Sequence, residues 1–339
     1  METVLMREEA LARPDDERQK KLYVTLKSIT SLADDINAFE FVSADGEPLP
    51  AFTAGSHIDV HLPDATIRQY SLCNSPDERH RYVVAVLRDP AGRGGSVAMH
   101  DTLRAGDKLF ISAPRNHFAL SKSARRHVFI AGGIGITPVM AMIAEVRKRG
   151  EPFHLFYCAR TPQRAAFLDR LKTLIERGDV SLHFDNGDPR NGLDLASTLE
   201  RRPADTHLYY CGPGRFMDAI EAASAHWPAG TRHCERFSAS GAIKESEAAT
   251  ETETPFDIEL RRSQKILTVP PGESIVDVMR ANGVEVDTSC CEGYCGTCMT
   301  RYLAGEPLHR DTVLDDEDRE EFVMICCSRS KSPKLVLDL

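Results

Sequence analysis

Cys290-Cys291-Glu292-Gly293-Tyr294-Cys295-Gly296-Thr297-Cys298 is the stretch whose reading decides the architecture. Cys290, Cys295 and Cys298 are spaced Cys-x4-Cys-x2-Cys, and Cys326-Cys327-Ser328-Arg329 follows near the C-terminus. Three thiols on one short loop, joined by one from a distant segment, form the plant-type ligand set for a [2Fe-2S] cluster. Gly293 and Gly296 carry no Cβ, so backbone can approach the cluster and aim N–H groups at its sulfurs. Cys291 would break the spacing. For the fourth ligand, Cys326 and Cys327 are equal on chemistry alone. Structural zinc calls for two spaced Cys or Cys/His pairs, whereas the second pair here is adjacent. A disulfide framework suits short secreted chains, not one of 339 residues with no basic n-region and apolar core at its start.

Outward from that loop, the chain divides into units. Phe256, Ile258 and Leu260 alternate as a strand does, and Ser274 to Asn282 reads as a helix stopped by Gly283. With the cysteine loop they make a unit over 256–339. Residues 238–255 are rich in Ser, Ala, Glu and Thr without apolar periodicity, the composition of an extended linker. Between 121 and 237, short apolar strands (His127–Ala131, Phe153–Ala159, Val180–Phe184, His207–Cys211) alternate with helices at Pro138–Gly150, Arg164–Arg177 and from Arg215. That order predicts βαβ units on a parallel sheet. From Leu22 to Ile111 the texture is short alternating strands split by turns such as Asp45-Gly46, predicting a small antiparallel barrel or sandwich within 18–120.

The bulk numbers fit an ordinary globular protein, with 42% hydrophobic and 27% charged residues. A net charge of −9 argues against nucleic acid as a partner, because phosphate binding wants a basic surface. The longest apolar run, Val128 to Val146, is broken by three glycines and Pro138 before it could span a membrane. Ten cysteines without an export signal point to a reducing, cytoplasmic setting.

Three further motifs carry chemistry. Gly132-Gly133-Ile134-Gly135-Ile136-Thr137-Pro138 is a glycine-rich strand-to-helix turn, able to bring backbone against a pyrophosphate. It departs from Gly-x-Gly-x-x-Gly, because Pro138 stands at the third glycine position. Cys211-Gly212-Pro213-Gly214 ends a later strand of the same sheet, and two such turns can line one cleft. Arg68-Gln69-Tyr70-Ser71 and Gly92-Arg93-Gly94-Gly95-Ser96 bring an aromatic, a hydroxyl and an anion nest to the barrel, a set that would suit a flavin. His57 and His61 face one way on a strand and are read as partly exposed. Asp315 to Asp318 with Glu320-Glu321 reads as a solvated helix face, or as a docking patch for a basic redox partner.

The ordered set of Arg68-x-Tyr70-Ser71, Gly92 to Ser96, Gly132 to Pro138, Cys211-Gly212-Pro213 and the cysteine loop resembles the phthalate dioxygenase reductase family. These reductases serve Rieske-type oxygenases, and vanillate demethylase reductases are similar too. The resemblance runs from about residue 20 to 339. It implies a six-stranded antiparallel FMN-binding β-barrel, an α/β parallel-sheet NAD domain, and an α+β β-grasp plant-type ferredoxin domain.

By that resemblance Arg68, Gln69, Tyr70 and Ser71 line the isoalloxazine and its chain, with Ser71 near N5. Ala85, Val86 and Leu87 supply backbone, and Arg93, Gly94, Gly95 and Ser96 hold the phosphate. Phe237 stacks near the ring. Gly132, Gly133, Gly135, Thr137, Pro138, Cys211, Gly212 and Pro213 serve NADH, with Thr137 and Cys211 near the nicotinamide. Cys211 and Glu235 tune polarity beside the catalytic Ser71. The family's Cys-x-Ser-Arg pattern selects Cys326 over Cys327, giving Cys290, Cys295, Cys298 and Cys326 as ligands.

The implied activity is an NADH-dependent reductase passing electrons through FMN and [2Fe-2S] to a Rieske-type oxygenase, as a monomer. NADH over NADPH is also a family implication; Arg160 and Arg164 stand where a 2′-phosphate could be met. The alternatives are a different terminal oxidase (a carnitine or methoxy-aromatic oxygenase, or a cytochrome P450), a stand-alone electron carrier, or a free-flavin reductase.

Overall fold

The structure is a computed structural model that describes residues 21–64, 66–237 and 253–339. Most of the expected linker, 238–252, lies outside the described residues, as do residues 18–20 of the expected barrel unit.

Three sheets organise the chain. The first has six antiparallel strands: β1 (Lys21–Ala33), β2 (Ile36–Ser43), β3 (His57–His61), β4 (Ile67–Ser71), β5 (Tyr82–Leu87) and β6 (Lys108–Ser112). Their order is β4-β3-β6-β1-β2-β5. A bridge from Leu72, just past β4, to Val84 of β5 brings the two edges together and rolls the sheet into a barrel. Alternation puts Val24, Leu26, Phe39, Phe41, Ile58, Val60 and Val84 into one fully buried core. Each such side chain contributes about 1.5–3 kcal/mol by leaving water. One element escaped the sequence reading. Gly94, with φ of 80°, turns the chain into a short helix α1 (Gly95–Asp101) where only a turn was expected.

The second sheet is parallel, ordered β11-β10-β7-β8-β9. It contains β7 (Arg126–Gly132), β8 (Phe153–Ala159), β9 (Val180–Phe184), β10 (Thr206–Cys211) and β11 (Arg232–Glu235). The helices are α2 (Ile136–Arg149), α3 (Leu168–Glu176), α4 (Leu195–Leu199) and α5 (Gly214–Ala223). Ile136, Val139, Met140, Ile143 and Val146 recur at helical spacing and bury one face of α2. Gly150, with φ of 67°, ends α2 where the sequence placed its stop. The expected helix from Arg164 starts four residues later, because Pro162 opens a separate 3-10 turn and Phe167 at φ 64° breaks the path between them. Strand β11 was not foreseen; its four residues carry no apolar alternation.

The third sheet is mixed, ordered β13-β12-β18-β14-β16. It uses β12 (Phe256–Leu260), β13 (Lys265–Val269), β14 (Met299–Ala304), β16 (Phe322–Met324) and β18 (Lys334–Leu337). A small ladder joins β15 (Pro307–Leu308) to β17 (Arg329–Ser330). Parallel pairing of β12 with β18 and the helix α6 (Ile275–Ala281) laid on the sheet make a β-grasp. Ser274 and Asp277 close a reciprocal capping box at the start of α6. The acidic run 315–321 forms one 3-10 turn, Asp318–Glu320, not the expected helix face; six like charges within seven residues repel in a helix. Among the described residues no helix is long and apolar enough to cross a membrane.

Candidate electron-transfer site

The barrel, the parallel-sheet unit and the loops of the β-grasp unit converge on one cavity of about 590 Å³. The barrel supplies Arg68, Gln69, Tyr70 and Ser71 from β4, Ala85, Val86 and Leu87 from β5, and Arg93, Gly95 and Ser96 around the start of α1. The parallel sheet supplies Thr137 from α2, and Glu235 with Phe237 at the end of β11. The β-grasp unit supplies Cys290 and Tyr294.

Not every expected site residue reaches the wall. Gly94 and the turn residues Gly132, Gly133, Gly135, Pro138, Gly212 and Pro213 stand outside the cavity lining, and Cys211 is fully buried. The two turns nevertheless meet. A Cβ on Gly135 would lie 2.3 Å from the carbonyl oxygen of Cys211, and one on Gly212 would crowd Gly132. Only glycine permits that approach, which is why the sequence spends glycines at both strand ends.

At the centre of the cavity, the Ser71 hydroxyl donates to Glu235 Oε2 at 3.1 Å. Burial pushes the Glu235 carboxyl up to about 8, against the smaller opposing effect of that bond. Cys211 sits directly across from Glu235 in the β10–β11 ladder, and burial pushes its thiol well up. His57, read as partly exposed, is 1% exposed. It stacks on His117 with ring centres 5.5 Å apart and lies 3.9 Å from Glu235. Glu235 at the end of the second unit's β11 and His117 lie against it, contacts that strand periodicity does not encode.

At one end, Arg68 donates to the main-chain oxygen of Arg93 at 2.7 Å, and the Arg93 guanidinium, which donates to the Cys290 carbonyl, is close enough for its charge to act on Arg68. Burial, and then the nearby Arg93 charge, lowers the affinity of Arg68 for its proton. A Cβ on Gly95 would lie 2.4 Å from the Arg68 side chain. Paired cations beside an open glycine backbone fit a phosphate group.

Beyond that corner lies the cysteine loop. Cys290, Cys295, Cys298 and Cys326 are all buried, whereas Cys291 is exposed and Cys327 only half-buried. The Cys290 amide donates to Cys295 Sγ at 3.4 Å and the Glu292 amide to Cys290 Sγ at 3.3 Å. Cys290 neighbours Cys295 and Cys326, and Cys298 neighbours Cys326. Among the described residues no three His, Cys, Asp or Glu side chains gather as a single-ion site would need. The Cys290 thiol, then burial, pushes Cys295 up; Cys326, then burial, does the same to Cys298. Four thiolates at this density repel unless cationic metal sits among them, and amides already directed at sulfur suit an iron–sulfur cluster. A Cβ on Gly296 would lie 2.8 Å from His117 Nε2, so the loop also needs this glycine to seat against the barrel.

Sequence reading missed His57, His117, Tyr294 and Arg236 of this cavity wall. Tyr294 lies inside the quoted motif, yet its spacing role there is that of any residue between cysteines.

Comparisons agree with this geometry. Residues 258–331 match the family described as a 2Fe-2S iron-sulfur cluster binding domain, and residues 112–233 the N-terminal domain of dimethylamine monooxygenase subunit DmmA-like proteins. The chain is 42% identical over 319 residues to phthalate dioxygenase reductase of Burkholderia cepacia, covering 94% of this chain and 97% of that one. It is 44% identical over 323 residues to the tert-butanol monooxygenase / tert-amyl alcohol desaturase reductase subunit of Aquincola tertiaricarbonis, with 94% and 96% covered. The solved structure of phthalate dioxygenase reductase matches with a TM-score of 0.69, 42% identity, and 94% and 98% coverage. An intact type IV self-sufficient cytochrome P450 monooxygenase matches with a TM-score of 0.82 and 39% identity, over 94% of this chain and 41% of that one.

Barrel, nicotinamide-type sheet and β-grasp unit define a flavin iron–sulfur oxidoreductase. The chain belongs to the phthalate dioxygenase reductase family. It is an electron-transferring reductase component of an oxygenase system, with a 2Fe-2S cluster binding domain at its C-terminal end.

Proposed function

We propose that the chain carries electrons from NADH to a Rieske-type terminal oxygenase. The observation that carries this reading is one cavity walled by residues of all three units, with Ser71, Glu235 and Cys290 on its surface. When bound, the flavin accepts two electrons as hydride and the cluster takes them one at a time.

The chain's own residues then have distinct tasks. Arg68 and Arg93 hold the phosphate of FMN over the backbone of Gly94, Gly95 and Ser96. Gln69 and Tyr70 flank the ring and its side chain, and Ala85, Val86 and Leu87 present main chain along it. The Ser71 hydroxyl, oriented by Glu235, stands beside the reacting edge. Cys211 works from behind Glu235 as a buried, uncharged thiol. The Gly132–Pro138 and Gly212–Pro213 turns receive the dinucleotide, Thr137 faces the nicotinamide, and Phe237 stacks near the flavin ring. Cys290, Cys295, Cys298 and Cys326 ligate the cluster.

NADH over NADPH is supported by Arg164, which pairs with Asp35 at 3.2 Å and is thereby drawn toward the barrel. The ten free thiols suit a reducing cytoplasm. We take the working unit as one chain, because one chain carries every wall of the cavity. The units run 18–120, 121–237 and 256–339.

The acidic run of Asp315, Asp316, Glu317, Asp318, Glu320 and Glu321, exposed except for a half-buried Asp318, offers the oxygenase a docking face of negative charge. Raising salt is expected to slow transfer to a Rieske oxygenase while leaving reduction of a small dye unchanged. Equal loss of both rates would remove the docking face. A cytochrome P450 acceptor is the second reading, favoured by the TM-score of 0.82 to the self-sufficient P450. Side-by-side reduction of a Rieske oxygenase and a P450 separates the two; faster reduction of the P450 would overturn the first.

A further inference from the structure

Tyr294 stands between the cluster cysteines 290 and 295, but its hydroxyl leaves the loop and donates to the main-chain oxygen of Phe237 at 2.9 Å. That bond joins the β-grasp unit to the last described residue of the nicotinamide unit. The residues before Phe237 are anchored in their own unit: Glu235 in β11, and Arg236 paired to Asp218 at 2.9 Å and Glu221 at 3.2 Å on α5. Phe237 itself is 38% exposed, on the cavity wall that also carries Ser71, Glu235 and Thr137.

The loop bearing Tyr294 is fixed from the barrel side. Arg93 donates to the Cys290 carbonyl oxygen, and Thr297 donates to Asp59 at 3.3 Å. Asp59 in turn is paired with Arg115 at 2.7 Å. Tyr294 therefore reaches Phe237 from a seated platform.

We infer that Tyr294 is a positioning residue that holds Phe237 across the nicotinamide approach, so that admission of the coenzyme is tied to the docked state of the cluster loop. This rests on the reading above that the Phe237 ring lies near the flavin. A planar ring in that position must yield before a nicotinamide reaches the Ser71 wall. Yielding moves the Phe237 main chain and stretches its bond to Tyr294. By linkage, whatever loosens the cluster loop eases coenzyme entry, and a bound nicotinamide loosens the loop to the same degree.

Tyr294→Phe removes the hydroxyl and keeps the ring. One net hydrogen bond of this kind moves an equilibrium about three- to tenfold. KM for NADH, and the dissociation constant of NAD+ read from flavin absorbance, are expected to fall by that factor. The rhombic EPR signal of the reduced cluster is expected to stay as in the parent, showing that the loop is intact. Unchanged or raised constants in Tyr294→Phe overturn the inference. Phe237→Ala keeps the underlying reading separable: if it leaves NAD+ binding unchanged, the ring does not stand in the approach. If it tightens NAD+ while Tyr294→Phe does not, the ring reading stands and the latch fails. In the double variant, the Tyr294→Phe effect should vanish.

Discussion

The cluster loop and the flavin cavity are built on opposite plans. Three of the four proposed cluster ligands come from nine consecutive residues, and their geometry follows from local backbone: two glycines at positive φ and amides aimed at sulfur. The cavity a few residues away draws its wall from two sheets and a set of loops spread over more than two hundred positions. Ser71 and Glu235, which hydrogen-bond, are 164 residues apart. A local site fails when one residue is lost, whereas a composite one weakens by degrees as single walls are trimmed.

The sharpest break in that contrast comes at the fourth ligand. Cys326→Ser should abolish the cluster, seen as loss of iron, sulfide and the rhombic EPR signal, while Cys327→Ala keeps all three. Burial separates them: Cys326 is 7% exposed beside Cys298, and Cys327 points its sulfur at Gly293. A cluster surviving Cys326→Ser but lost in Cys327→Ala would reverse the assignment.

A smaller effect sits at Glu235, where the composite site buries a carboxyl. Its carboxyl is raised from 4.5 to about 8 in the folded chain. The folded state thus binds this proton more tightly than the unfolded state. The stabilisation it gives is complete below pH 4.5 and is lost as pH rises through about 8. Glu235→Gln cannot ionise, so relative to it the parent should lose up to about 5 kcal/mol across that window. Denaturant midpoints measured at several pH values check this, and parallel curves for the two proteins would place the carboxylate in a more solvated setting.

The smallest effect belongs to the phosphate corner. Arg68→Ala removes one of two adjacent cations and should weaken FMN binding about ten- to a hundredfold, since a charge-assisted hydrogen bond contributes about 1.5–3 kcal/mol. Fluorescence titration of the flavin-free protein reads it, and iron content should not move. Loss of iron along with FMN would show that cavity and loop are less separable than their construction suggests.

Much of the architecture was legible in the chain. The strands Phe153–Ala159 and Val180–Phe184 start and stop where periodicity put them, and Gly150 and Gly283 end their helices. Apolar alternation and glycine stops are local signals, dictated by burial and by φ. Where the reading slipped, the cause was local too. Phe167 at φ 64° delays α3, and β11 (Arg232–Glu235) pairs with β10 despite lacking an apolar rhythm. His57 escaped because its burial depends on which unit covers the strand end.

By itself, then, the sequence determined the three-unit order and the cysteine spacing, because thiolate chemistry and hydrophobic period act between near neighbours. Only the tertiary structure decided that Arg93 meets Cys290, that Tyr294 meets Phe237 and that His57 stacks on His117. The first two pairs join residues from separate units, and the third joins residues 60 positions apart in the barrel unit. Their meeting depends on how folded surfaces pack, which no short-range pattern in the chain records.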